Sequence, residues 1–254
     1  MVKYIFGMKT MIITKIHIHH KKRLLFMINN FERLEIISRY IENGIEIPCS
    51  DGIIIEPSVR IGKGTVIMPG TILLGNTIIG KDCFIGPNSY ITDSSIGNNT
   101  KLNNTQVFSS EIGDGVTAGP FVHIRPNCKI ADNVHIGNFV EVKNSTVDEG
   151  SKLPHLLYVG DSDVGKDVNF GCGCVTVNYD GRNKSRTTVK DGAFIGCNTN
   201  LVAPVTVGEN AFTAAGSTIT EDVPDNALAV ARSRQSIKKD WVNIKKPYKR
   251  QHTK

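Results

Sequence analysis

The chain has 254 residues and a mass of 27.8 kDa, with 40% hydrophobic and 21% charged residues and a net charge of +6, enough to bury a sizeable core in one or two domains. The charge is uneven: residues 1–26 contribute +6 and residues 225–254 contribute +7, leaving −7 on the body between them, which argues against a basic nucleic-acid groove. The six cysteines lack both a secretory context and paired zinc-ligand spacing, and apolar runs such as Met11-Ile12-Ile13 are too short for a membrane span, so we expect a cytoplasmic protein with no nucleic-acid or membrane partner.

In chain order, residues 1–26 form an unmatched basic extension in which His17, His19 and His20 alternate with Ile16 and Ile18 as in a short strand. A metal site there competes with an irregular extension, and Met27 is a candidate start. Residues 27–52 predict a connecting helix: Phe31, Leu34, Ile37 and Ile41 recur at three or four, and Gly44 ends the run. Residues 224–254 read as a helical, basic arm; such an end is either solvated or meets an anionic ligand or a partner subunit.

Residues 53–223 repeat every six residues. The step runs from Ile61 through Ile91, Ile124, Val159 and Val189 to Ile219, and of 27 register positions only Thr176 and Thr213 are not apolar. Gly often follows the apolar residue, as at Gly62 and Gly80, and a small or β-branched residue often sits four after it, as at Thr65, Cys83, Cys128 and Cys174. Each hexad reads as a short strand plus a corner, with Gly expected to permit the turn's backbone angles. Three hexads close a triangular coil, so the fold class is all-β, a left-handed parallel β-helix. A β-sandwich would show turns every 8–12 residues with period-two alternation. The buried corner slots also explain Cys83, Cys128 and Cys174 as small core residues.

Stacked coils make the register a map of neighbours. Five steps are one residue short, and one is long, between Thr176 and Val189, where Asn178 to Lys184 must be extruded as a loop. The register stacks Asn138, His155, Cys172, Cys197 and Ala215 in one column, a slot of small side chains beside a titratable base. It also stacks Arg125 under Lys143; two cations so close repel unless an anion lies between them or a carboxylate compensates, so the pair reads as a phosphate seat or as two splayed, solvated side chains. His123, His135 and His155 are spaced by 12 and 20 residues, unlike the three-histidine zinc site of carbonic-anhydrase-like hexapeptide proteins. Gly62-Lys63-Gly64-Thr65 falls in the hexad register and lacks P-loop spacing. No metal is expected.

Several motifs in one order carry a resemblance: Gly119-Pro120-Phe121-Val122-His123-Ile124-Arg125-Pro126, Gly137-Asn138-Phe139-Val140-Glu141-Val142-Lys143, Gly150-Ser151-Lys152 with His155, Tyr158-Val159-Gly160-Asp161, Val177-Asn178-Tyr179-Asp180-Gly181, Leu201-Val202-Ala203-Pro204-Val205, and Ala227-Leu228-Ala229 with Arg232. Over roughly residues 27–242 the chain resembles the acetyltransferase half of the bacterial bifunctional N-acetylglucosamine-1-phosphate uridyltransferase/glucosamine-1-phosphate acetyltransferase family. The resemblance implies transfer of acetyl from acetyl-CoA to the amine of glucosamine 1-phosphate, toward UDP-N-acetylglucosamine and cell-wall synthesis. It places the general base on His155 and the sugar-phosphate contacts on Arg125, Lys143, Tyr158 and Asn169, with Lys184 near the shared site. It places acetyl-CoA contacts on Cys172, Asn178, Tyr179, Cys197, Ala215 and Arg232. Many relatives have Ala and Ser at Cys172 and Cys197, and a small residue at Pro154.

The resemblance further implies a homotrimer with active sites between subunits, reached by the basic arm. The nucleotide-binding half of the family is not matched, so uridyltransferase activity and its Mg²⁺ requirement are expected to be absent. Two alternatives stay open: a hexapeptide acyltransferase with another acceptor, which an acceptor panel separates, and a non-catalytic trimeric scaffold, which would fail to bind acetyl-CoA.

Overall fold

A computed structural model describes residues 30–245; the expectations for residues 1–26, including the His17–His20 strand, fall outside the described residues. From Ile54 onward the chain coils as a left-handed β-helix of short parallel strands. One face holds nine strands, with Ile61, Ile79, Ile96, Ile112, Ile130, Val147, Val164, Val189 and Val207 in a single ladder. On the other two faces Ile124 pairs with Val142, Val142 with Val159 and Ile136 with Leu153. Each coil therefore advances by 16 to 18 residues, except at the extruded loop, where Val164 meets Val189.

The register residues are the core. Ile67, Leu73, Ile85, Ile91, Leu102, Ile124, Ile136 and Leu153 are fully buried, and each contributes about 1.5–3 kcal/mol by leaving water. The two polar exceptions are buried and paired. Thr176 Oγ1 accepts from Gly160 N at 2.7 Å and donates to Gly160 O, and Thr213 Oγ1 accepts from Gly196 N at 3.0 Å. A hydroxyl bonded to backbone is tolerated in this interior where an unpaired one would cost.

The glycines after the register residues do a different job from the one expected. Gly62, Gly80 and Gly97 do not have positive φ. A Cβ at Gly62 would sit 2.6 Å from the Gly80 carbonyl carbon, and one at Gly97 would sit 2.5 Å from that of Gly113. They are required by the close stacking of coils. The left-handed backbone falls two residues later, at Asp82, Asn88, Asn99 and Asn198, the non-glycine types that adopt it most readily.

Cys83, Cys128 and Cys174 occupy the buried corner slots. Burial pushes all three thiols up, Cys174 to about 11, so none is a ready thiolate.

Before the first coil, a helix spans Asn30–Glu42. It ends in a left-handed Gly44 (φ +85°), with Ile45 N bonding back to Tyr40 O at 3.0 Å. The buried face is Ile36, Ile37 and Tyr40, whereas Phe31, Leu34 and Ile41 are exposed. The apolar spacing identified the helix, but only docking chose its face. Tyr40 donates to Val59 O at 2.5 Å and Arg33 to Ser50 O at 2.8 Å, so the helix lies over the first coil and covers its otherwise open end. At the other end Leu228–Ala229 adds a last strand, and among the described residues the arm beyond it carries one short helix, Trp241–Lys245, with no buried side chain.

Candidate active site

Two strands depart from the two-to-four-residue pattern. His135–Lys143 and Lys152–Gly160 each run nine residues, straight through the corner between two faces, and pair from His135↔Lys152 to Lys143↔Gly160. They bring two groups of side chains to adjoining positions.

The first group is the corner column. Asn138 pairs with His155, and the ladder continues through Lys152↔Asn169, Phe170↔Ile195 and Ile195↔Thr213. That register carries the column through Cys172 and Cys197 to Ala215, as the sequence spacing predicts. His155 is exposed, and its Nδ1 lies 3.1 Å from Asn138 Oδ1. When Nδ1–H donates to that carbonyl, Nε2 keeps its lone pair and faces outward as a proton acceptor. Arg232 lies at the top of the column, its Cδ about one van der Waals contact (4.0 Å) from a Cβ built on Gly216.

Beside the column runs an apolar ridge. Phe121, Phe139 and Leu156 have φ of +61°, +56° and +52°. The two rings stack at 5.2 Å, and all three side chains are more than half exposed. Holding a large side chain in this backbone region costs roughly 1–2 kcal/mol, and such strain gathers at functional corners. Leu156 turns the chain immediately after His155.

The second group lies along the face that follows. Tyr158 is three residues beyond His155 in the same strand, on the far side of the corner made at Leu156. Arg125 sits under Lys143 as expected, with Arg125 N bonded to Val142 O at 2.8 Å. The expected electrostatic conflict is answered by carboxylates: Arg125 Nη1 meets Glu141 Oε1 at 2.9 Å, and Lys143 Nζ lies 3.7 Å from Asp161 Oδ2. Glu141, chiefly by its hydrogen bond, holds Arg125 more firmly protonated.

The extruded loop completes this group. Asp180 Oδ1 accepts from the backbone of Arg182 and Asn183, at 2.7 and 2.6 Å, and Tyr179 bridges to Lys184. The turn folds Lys184 back so close to Lys143 that the Lys143 ammonium depresses the Lys184 pKa. Asn178 donates to both Asp161 and the Tyr158 hydroxyl. Arg125, Lys143 and Lys184 thus meet Glu141 and Asp161, three positive charges against two paired carboxylates.

Of the residues singled out from sequence, the structure brings Arg125, Lys143, Tyr158, Asn178 and Lys184 into one connected group. It aligns His155, Cys172, Cys197 and Ala215 in the other. Tyr179 is in the loop, 55% exposed, with its hydroxyl donating to Gly181 O. Asn169 stands on the preceding face, between Lys152 and Phe194 in the ladder. Sequence reasoning placed Asn138 in the column with His155 but missed Glu141 and Asp161 as charge partners; offsets of 16 and 18 residues from Arg125 and Lys143 would have found both.

The remaining histidines are accounted for locally. His135 Nδ1 lies 2.8 Å from Thr117 Oγ1, and His123 packs edge-on to Phe108 at 5.5 Å. Among the described residues no cluster of three or more His, Cys, Asp or Glu side chains could hold a metal ion, and no helix is long and apolar enough to cross a membrane.

The bacterial transferase hexapeptide (six repeats) family matches residues 58–93, 109–144 and 186–221. The bifunctional protein GlmU of Geobacillus sp. (strain WCH70) is 57% identical over 211 residues, covering 83% of this chain and 46% of that protein. GlmU of Caldicellulosiruptor saccharolyticus is 53% identical over 218 residues, covering 86% and 47%. The chain thus spans about half the length of the curated relatives it matches. Among solved structures, Francisella novicida UDP-N-acetylglucosamine acyltransferase aligns at 18% identity with a TM-score of 0.49, covering 70% of this chain and 65% of that one. With its six-residue register and coil-by-coil pairing, this chain carries three stretches that match the bacterial transferase hexapeptide family, and over more than four-fifths of its length it is similar to the GlmU proteins.

Proposed function

We propose that the chain transfers acetyl from acetyl-CoA to the amine of glucosamine 1-phosphate. The observation that carries this reading is the pairing of an oriented histidine, His155 on Asn138, with a cationic group of Arg125, Lys143 and Lys184 on the adjoining face. Both lie inside the segment that is 57% identical to a GlmU protein.

The chemistry suits these residue types. A protonated amine cannot attack a thioester, so a base must take its proton, and His155 Nε2 is the free acceptor. The nitrogen lone pair adds to the thioester carbonyl, the tetrahedral intermediate collapses, and the CoA thiolate leaves. The proton held by His155 is then available to that thiolate. No covalent enzyme intermediate is needed, so Cys172 and Cys197 serve as small walls of the slot. The sugar's phosphate gives binding energy remote from the reacting nitrogen. Arg125 offers a fork of donors to it, and a bound phosphate relieves the repulsion between Lys143 and Lys184. The CoA contacts assigned to Asn178, Tyr179, Ala215 and Arg232 line the loop and the upper column.

A homotrimer completes the reading. His155 stands on open surface beside the exposed Phe121–Phe139–Leu156 ridge, and a neighbouring subunit laid on that ridge would exclude water from the base. We place the reaction in the cytoplasm, where acetyl-CoA is available. An acetyl-CoA assay with glucosamine 1-phosphate tests the function; a folded oligomer that releases no CoA would overturn it. Turnover with other amino sugars only would point to a different acceptor.

A further inference from the structure

The turn column that holds Asp161 runs up one corner of the solenoid through Asp93, Ser109, Asn127, Asn144, Asp161 and Asn178. The first five of these residues have positive φ. Asp93, Ser109 and Asn127 are exposed; Asn144 is half-buried; Asp161 and Asn178 are buried beneath the extruded loop. An asparagine ladder would satisfy the turn geometry here without any charge. A carboxylate is instead kept at 5% exposure, where an ionised group costs free energy unless it is bonded and paired.

It is bonded on every side. Oδ1 accepts from Asn144 Nδ2 at 2.5 Å, Oδ2 accepts from Asn178 Nδ2, and Lys143 Nζ lies 3.7 Å from Oδ2. The backbone of the same residue joins in: Asp161 N donates to Lys143 O at 2.9 Å, and Asp161 O accepts from Thr187 N at 3.1 Å. One residue therefore grips Lys143 on the coil below, the start of the loop through Asn178, and the end of the loop through Thr187. Burial opposes ionisation of its carboxyl, but the two amides and the Lys143 and Lys184 charges outweigh burial and hold the pKa below the usual carboxylate range.

We propose that Asp161 is a positioning residue: its buried carboxylate fixes the Lys143 ammonium and the extruded loop relative to each other, so that Lys143 and Lys184 face one acceptor phosphate. Asp161 does not touch substrate; it acts through Lys143 and Asn178. This inference rests on the proposed function for its substrate, and on geometry alone for the loop. Asp163, two residues on, supplies a built-in control. It receives Arg186 Nε at 2.9 Å and Nη2 at 2.5 Å, and so fastens the outer end of the same loop without meeting Lys143.

The test compares Asp161→Asn, Asp163→Asn and Asn144→Gly in the full chain by steady-state kinetics, thermal unfolding and amide hydrogen exchange of residues 178–187. Asp161→Asn is expected to raise the KM for glucosamine 1-phosphate about tenfold or more with a smaller change in kcat, the loss of one charged contact. It should also speed exchange in the loop. Asn144→Gly, which keeps the left-handed turn and frees Oδ1, should move the same KM in the same direction by less, and it decides the matter if Asp161→Asn does not fold. Asp163→Asn should speed loop exchange and leave that KM in place. An unchanged KM in folded Asp161→Asn, or equal shifts in the Asp161 and Asp163 variants, would overturn the proposal. A wild-type chain without turnover overturns the function instead. The exchange arm then stands by itself, and unaltered loop exchange in Asp161→Asn defeats the positioning role.

Discussion

The coils up to Ala118 and those between His135 and Val189 share one kind of interior and differ outside it. In the first region strands are two to four residues long, from Ile54–Ile55 to Thr117–Ala118, and nearly every turn is taken by Asn, Asp, Ser or Gly at positive φ. In the second, two nine-residue strands run through a corner, Phe139 and Leu156 occupy left-handed backbone, a carboxylate is buried in a turn column, and a loop is extruded. The regular coils show what the repeat needs in order to stack. Every departure from that minimum falls within reach of His155 or Lys143, so departures mark the site.

The sharpest way to break this comparison is at the base. His155→Ala should lower turnover about 10²–10⁴-fold while leaving the thermal midpoint unchanged, because His155 is exposed and its one side-chain partner is Asn138. Retained turnover would remove His155 from the chemistry. The converse experiment cuts the scaffold. Leu102→Ala, at a fully buried position in the regular coils, should cost about 2–5 kcal/mol in denaturant unfolding and leave both KM values alone below the transition.

Arg125→Ala should raise the KM for the sugar phosphate roughly tenfold to a hundredfold, the range for a charged hydrogen bond. Because Glu141 is then left unpaired at 37% side-chain exposure, a partial recovery in Arg125→Ala/Glu141→Gln would confirm that the carboxylate repels the phosphate. No recovery would mean that Glu141 only orients the guanidinium.

The smallest effect is the outer clamp of the loop. Arg186 holds the Asp163 carboxyl below its usual range, with burial opposing. The folded pKa lies below the unfolded value of about 3.9, so the clamp's stability is complete above that pH and is lost as pH falls through the folded value. Both partners are nearly half exposed, which limits the contribution to at most about 1 kcal/mol. Asp163→Asn should therefore shallow the acid limb of the midpoint-against-pH curve slightly; an unchanged limb would show the clamp to be solvent-screened.

Much of this was legible in the residues because a solenoid turns sequence distance into spatial contact. Once the period is six and three hexads close a coil, residues 16 to 18 apart must be neighbours. The Arg125–Lys143 stack and the His155–Cys172–Cys197–Ala215 column follow from counting. The same counting located the loop, since the long step at Thr176 had nowhere else to go. Glycine was misread for an equally physical reason: its spacing is the same whether it serves a positive φ or a close approach, and only stacked backbones distinguish the two.

The sequence by itself thus determined the coil, the buried register and the columns, because translation along the axis leaves little choice of partner. Only the tertiary structure decided which charges neutralise one another, since Arg125 reaches Glu141 diagonally and Lys143 reaches Asp161 across the corner. It likewise chose the face of the Asn30–Glu42 helix and folded Lys184 back onto Lys143. Those outcomes depend on side-chain reach, local burial and the shape of an irregular loop, and none of these repeats with the period of the scaffold.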